Sequence, residues 1–243
     1  MTISVQRAAD RAHTAIDWLD SKHSFNFGEH YRASDSGHGL LLVNNDDTVA
    51  PGAGFGFHGH RDMEIVTWVL SGSLEHHDSE GNHGVLYPGL AQRMSAGRGI
   101  RHSEMNASTT EPVHFVQMWV LPDSRGIDPG YEQRDINEAL ATATLVPIAS
   151  GKGHADAVAI HQKDAVLWGG RLPAGTTVDL PTDEHVHVFV ALGDGSLDYD
   201  TALSTGDSDT ALSTGDGVRV TGPQALRFTA GDDGTELLVW ATA

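Results

Sequence analysis

The stretch His58-Gly59-His60-Arg61-Asp62-Met63-Glu64-Ile65-Val66-Thr67-Trp68-Val69-Leu70 decides how this chain folds. It opens on two histidines one residue apart, passes a short polar turn, and runs on into β-branched and aromatic side chains. In an extended strand every second side chain points to one face, so His58 and His60 are presented together. The run from Glu64 to Leu70 reads as the next strand. Further along, His102-Ser103-Glu104 repeats the one-residue spacing. Two such strands side by side would bring three imidazoles and one carboxylate to a single point. Those four donors, without sulfur, suit a divalent metal such as Fe(II), Mn, Co, Ni, Cu or Zn.

Outward from this stretch the pattern stays β. Further strands are expected at His114 to Leu121, Ala165 to Leu172, His185 to Leu192 and Glu236 to Ala241. Turn signals separate them, among them Ser71-Gly72, Pro88-Gly89, Gly97-Arg98-Gly99 and Gly193-Asp194-Gly195. Short strands at such intervals predict an all-β barrel or sandwich. One helix is expected, from Asp135 to Thr144 with Asp135 as its cap. The polar stretch from Pro122 to Gln133 reads as a crossing between two halves, giving two antiparallel β-barrel domains, 1–135 and 136–243. A tandem repeat, Thr201 to Asp207 and again Thr210 to Asp216, reads as a duplicated surface loop.

Composition limits the partners. The chain has 243 residues, a formal net charge of −18 and no cysteine. Such a surface repels phosphate backbones and anionic lipid, so neither direct nucleic-acid binding nor membrane docking is expected. Thiolate metal sites and disulfides are excluded. The N-terminal residues lack a secretory pattern, so a cytoplasmic protein is expected.

The surroundings of the two pairs add detail. Gly52 leads into His58 and Glu64 follows His60, while Gly99 leads into His102 and Asn106 follows it. These spacings resemble the two cupin motifs, in which a glycine turn leads into a ligand-bearing strand of a small barrel. The passage from Phe57 to Asn106, above all His58 to Leu70 and Met94 to Asn106, resembles the pirin family and its bacterial quercetinase-type members. Weaker echoes lie at Trp18 to His23 and Tyr131 to Arg134.

That resemblance implies a bicupin, two jelly-roll-like barrels face to face, with metal only in the N-terminal one. The family's ligands fall here on His58, His60, His102 and Glu104, and Fe(II) is the ion it favours. It implies an oxidoreductase that opens quercetin or a similar enolisable aromatic with dioxygen, with Glu104 as the base. Other members act as transcription cofactors, so a metal-dependent regulator with a protein partner is the alternative. A third reading is a cupin isomerase or hydrolase using the metal as a Lewis acid. A monomer is expected, since each barrel covers the other.

The remaining polar and aromatic groups receive plainer readings. Glu64 is expected beside the metal shell or in a structural role rather than as a ligand. His185-Val186-His187 repeats the spacing but lacks a second motif, so no metal is expected there. His76, His77 and His83 are read as solvated hairpin residues. Phe55, Phe57, Trp68 and Trp119 are candidates for an aromatic pocket or for core packing, and Gln117 for orienting a substrate.

Overall fold

The computed structural model describes residues 2–199 and 209–243. The first copy of the tandem repeat, Thr201 to Asp207, lies outside them. The second copy, Thr210 to Asp216, is not a surface loop: it lies in the strand Asp209–Ser213, which pairs with His185–Tyr199, and in the turn that follows.

The predicted strands are present, and they are antiparallel wherever they border the site. One sheet has seven strands in the order Gly130–Asp135, Leu90–Ser95, Glu64–Ser71, Val113–Val120, Leu41–Val49, Leu19–His23 and Ala12–Ile16. Packed with it is a four-stranded sheet, Gly54–His60, Ile100–Asn106, Leu74–Asp78 and His83–Leu86. Together they make the first barrel. The second barrel is a nine-stranded sheet bent around the long strands His185–Tyr199 and Leu226–Thr242. Its edge strand is Thr2–Gln6, which leaves the first barrel and pairs with Gly217–Thr221.

The period-two alternation of side chains sorts the apolar residues into interiors and an interface. Along Glu64–Ser71, Ile65 and Val69 point into the first barrel. Their neighbours Val66, Trp68 and Leu70 point the other way. Val116, Met118 and Val120 do the same, and all six meet Ile148, Leu167, Phe189, Leu238 and Trp240 of the second barrel in one cluster. The barrels therefore pack face to face through their sheets. Two acids tie this interface: half-buried Glu236 accepts from the Trp68 indole at 2.7 Å, and buried Glu64 accepts from Ser95 Oγ at 2.8 Å and the His161 amide at 3.1 Å.

Two local expectations are corrected. The helix is one turn, Asn137–Leu140, not Asp135 to Thr144. Its N-cap position is Ile136 rather than Asp135, although Asp135 Oδ1 accepts from the Asn137 amide at 2.9 Å. Only Leu140 of the turn is buried, and Ala143 takes φ +56°, so nothing sustains a longer helix. The end of the polar stretch is not a crossing: Gly130–Asp135 pairs with Leu90–Ser95. It reads as loop because its own side chains are polar, with Glu132 on Arg93 at 3.1 Å.

The same alternation places the second His-x-His. Val186, Val188 and Val190 fill the second barrel, so His185 and His187 face outward to the interface. His187 is buried between Phe25 and Phe189, and neither of its ring nitrogens has a partner. Burial holds its pKa well below the usual imidazole value. The unfolded chain takes up a proton there near pH 6.5 and the folded one does not, so this group's stability is lost as pH falls below that value. His187→Leu is therefore expected to raise stability at neutral pH by about 1 kcal/mol, and by more at pH 5. Urea melts at both values would show it; a loss at either would refute this account. Among the described residues no helix is long and apolar enough to cross a membrane.

Candidate metal centre

The two strands that carry the candidate ligands, Gly54–His60 and Ile100–Asn106, are hydrogen-bonded neighbours. In the antiparallel register His102 lies opposite His58, and Ile100 opposite His60. The ladder then shifts, with Glu104 opposite Phe55. Such a bulge re-aims a side chain. His102 and Glu104 come within 3.9 Å, Nε2 to Oε2. The rings of His58, His60 and His102 stand 4.5–4.9 Å apart by centroid. One nitrogen from each lies within 4.8 Å of the others, and His102 and Glu104 form a second such group with His76.

Hydrogen bonding indicates which nitrogens are free. His58 donates from Nδ1 to the Gly56 carbonyl at 2.8 Å, leaving Nε2 bare. The Nε2 atoms of His60 and His102 are buried and unpartnered. A bare imidazole nitrogen without a donor is costly in the interior. Convergent orphan nitrogens beside a carboxylate fit a divalent cation. Burial, then the neighbouring histidines, lowers the His60 pKa to about 4 and that of His102 to about 3. Both rings are thus neutral at pH 7, the form that ligates.

Glu104 is held from behind. Gln117 Nε2 donates to both its oxygens, at 2.8 and 2.9 Å, and Trp119 Nε1 donates to Gln117 Oε1 at 3.0 Å. Gln117 was expected to orient a substrate; instead both ends of its amide are engaged in orienting Glu104. Glu64 lies on the opposite face of its strand, holding Ser95 and His161 as described.

The cluster forms part of the wall of a cavity of about 690 Å³, with Phe55, Trp119 and Phe27 as its aromatic lining. Of the four aromatic candidates, Phe55 and Trp119 line it. Phe57 alternates to the outside and is 54% exposed, and Trp68 belongs to the interface.

Comparison with known proteins follows this geometry closely. The pirin family profile matches residues 4–120, and that of the quercetinase C-terminal cupin domain matches residues 147–240. A Mycobacterium tuberculosis protein provisionally named quercetin 2,3-dioxygenase is 54% identical over 240 residues, covering 98% of this chain and 94% of that one. The chain belongs to the pirin family. The Escherichia coli protein named quercetin 2,3-dioxygenase is 49% identical over 132 residues, 54% of this chain and 57% of its own. The bacterial pirin YhhW from Escherichia coli, solved in complex with nickel(II), superposes with TM-score 0.85 at 34% identity, covering 98% of each chain.

Beyond the predicted residues, this pirin carries a polar wall in the same cavity that the sequence reading missed. His30 and His23 both bond Thr14 Oγ1 at 3.0 Å, His23 Nδ1 meets Asn45 Oδ1 at 2.8 Å, and Ser21 donates to Asp47. The sequence did hold a signal: Asn45 and Asp47 alternate with Val43 and Val49 on the inward face of one strand. Polar side chains on a barrel's inner face call for a purpose. Burial pushes the Asp47 carboxyl up to about 7, with Asp46 and Glu104 adding to the rise. The folded state keeps a proton that the unfolded chain releases near 4, so this group's contribution falls as pH rises from about 4 to 7. In metal-free protein Asp47→Asn is expected to gain stability over wild type between pH 5 and pH 8, by about 2–4 kcal/mol. An unchanged difference between the two melts would count against a buried, raised carboxyl.

The reading of His76 is corrected. His77 and His83 are exposed, but His76 is 1% exposed and touches His102. In Leu74–Asp78 the residues Leu74, His76 and Asp78 share the inward face, and the polar letters around them hid that parity.

Proposed function

We propose that this pirin is a metal-dependent dioxygenase of the quercetin 2,3-dioxygenase type. Its substrate would be a flavonol or a similar enolisable aromatic, opened with dioxygen. The observation that carries the reading is the convergence of three bare imidazole nitrogens and a braced carboxylate on an aromatic-walled cavity. Those four side chains, His58, His60, His102 and Glu104, would hold one divalent ion, Fe(II). When bound, the ion supplies a Lewis acid and a redox partner for dioxygen chemistry.

The chain's own residues do the rest. Glu104 takes the hydroxyl proton of the substrate on a carboxylate oxygen, and Gln117 and Trp119 keep that carboxylate aimed into the cavity. Phe27, Phe55 and Trp119 offer flat faces to an aromatic ligand and keep water from it. The metal-holding unit would be residues 1–135, with 136–243 as a metal-free partner barrel that borrows Thr2–Gln6. We assign the chain to the cytoplasm as a monomer. The names and the nickel complex of its relatives support the metal-dependent dioxygenase reading.

Aerobic turnover of quercetin by Fe(II)-loaded protein, with carbon monoxide detected, tests it. Carbon monoxide from wild type is the expected result. Stoichiometric metal without turnover would overturn the enzyme reading in favour of a metal-dependent regulator.

A further inference from the structure

The buried His76 has no part in the reaction outlined above, yet its contacts are specific. Its Nδ1 lies 3.4 Å from Nδ1 of His102, and its Nε2 lies 3.2 Å from Oδ2 of Asp78. The three come from paired strands, with His102 opposite Asp78 and Glu104 opposite His76. Asp78 is pinned in turn by the amides of Glu80 at 3.0 Å and Asn82 at 2.9 Å, and by the Asn82 side chain. The His76 ring is stacked on Tyr131 with centroids 4.7 Å apart.

Donors and acceptors in this chain can be assigned in one direction. Asp78 receives N–H groups from every one of those partners, so its carboxylate is the acceptor and His76 Nε2 carries the hydrogen. The Nδ1 of neutral His76 is then bare and accepts from His102 Nδ1–H. That leaves His102 Nε2 bare, which is the buried, unpartnered atom beside Glu104. A ligating imidazole whose other N–H is engaged is fixed in orientation and made more basic.

We propose that His76 and Asp78 are positioning residues for the metal: through a carboxylate–imidazole–imidazole relay they hold His102 in its Nδ1–H tautomer and strengthen it as a ligand. This rests on the metal reading given above. It extends the centre to two side chains that need not touch the ion, and it gives a role to the buried acid of this hairpin.

Two substitutions at one position separate positioning from packing. His76→Asn places an amide oxygen near the position of Nδ1, where it can accept from His102, but it loses the ring on Tyr131. His76→Phe keeps a ring there but offers no acceptor. Affinity for Co(II) and Ni(II), measured by competition with a chromophoric chelator, and the Co(II) visible spectrum are the readouts. Melts of the metal-free variants report folding separately.

The expected result is a loss of about 10–100-fold for His76→Phe with an altered Co(II) spectrum, and a smaller loss for His76→Asn. Asp78→Asn should lie between wild type and His76→Phe. A phenylalanine variant that binds as wild type does, or an asparagine variant that falls as far, would overturn the relay. Wild type that takes up no stoichiometric Co(II) would instead overturn the metal reading on which it rests.

Discussion

His102→Ala is expected to lower divalent-metal affinity by about 10²–10³-fold and to abolish flavonol turnover. The magnitude follows from sharing about 10–16 kcal/mol of a four-ligand site among its ligands, roughly 3–4 kcal/mol each. Position 102 is the sharpest choice because its ring serves both groups of candidate ligands, His58 with His60 and His76 with Glu104. The control is His185→Ala, which removes a histidine of the other His-x-His from the barrel interface. It is expected to leave metal affinity and turnover unchanged. Equilibrium dialysis against Ni(II) and carbon monoxide detection give both answers. Equal losses in the two variants would refute a single site in the first barrel.

Trp68→Ala is expected to cost about 3–5 kcal/mol of stability. Trp68 is 1% exposed and sits in the cluster that joins the barrels. Truncation opens a cavity there and also withdraws the indole N–H from Glu236, leaving it Arg171 at 3.1 Å among the described residues. Trp68→Phe fills most of the space and separates the two terms; about 1–3 kcal/mol is expected from the lost donor. Denaturant melts of both variants measure the difference. A cost below about 1 kcal/mol for the alanine variant would show that the barrels do not depend on this contact.

The interface also explains why the two His-x-His pairs have different fates. Both are strand-spaced, and the spacing alone does not distinguish them. His58 and His60 face the first barrel's cavity, whereas His185 and His187 face the partner barrel. The deciding signal lies in their neighbours: Val186, Val188 and Val190 are the larger apolar set, and that set fills the interior.

The all-β class, most strands and the shared facing of His58 with His60 and of His102 with Glu104 were legible in the sequence. Each depends on a local rule, the two-residue period of a strand, and needs no knowledge of what lies across the sheet. Tertiary structure alone decided which face of each strand is inward. Non-local pairing and the register shift after His102 set those faces, and no short window contains them. For that reason His76 and Asp78 passed as hairpin polarity, Asp47 and His23 went unnoticed, and Gln117 was given a substrate when it holds Glu104. Chain chemistry named the donors, and long-range packing decided what each one faces.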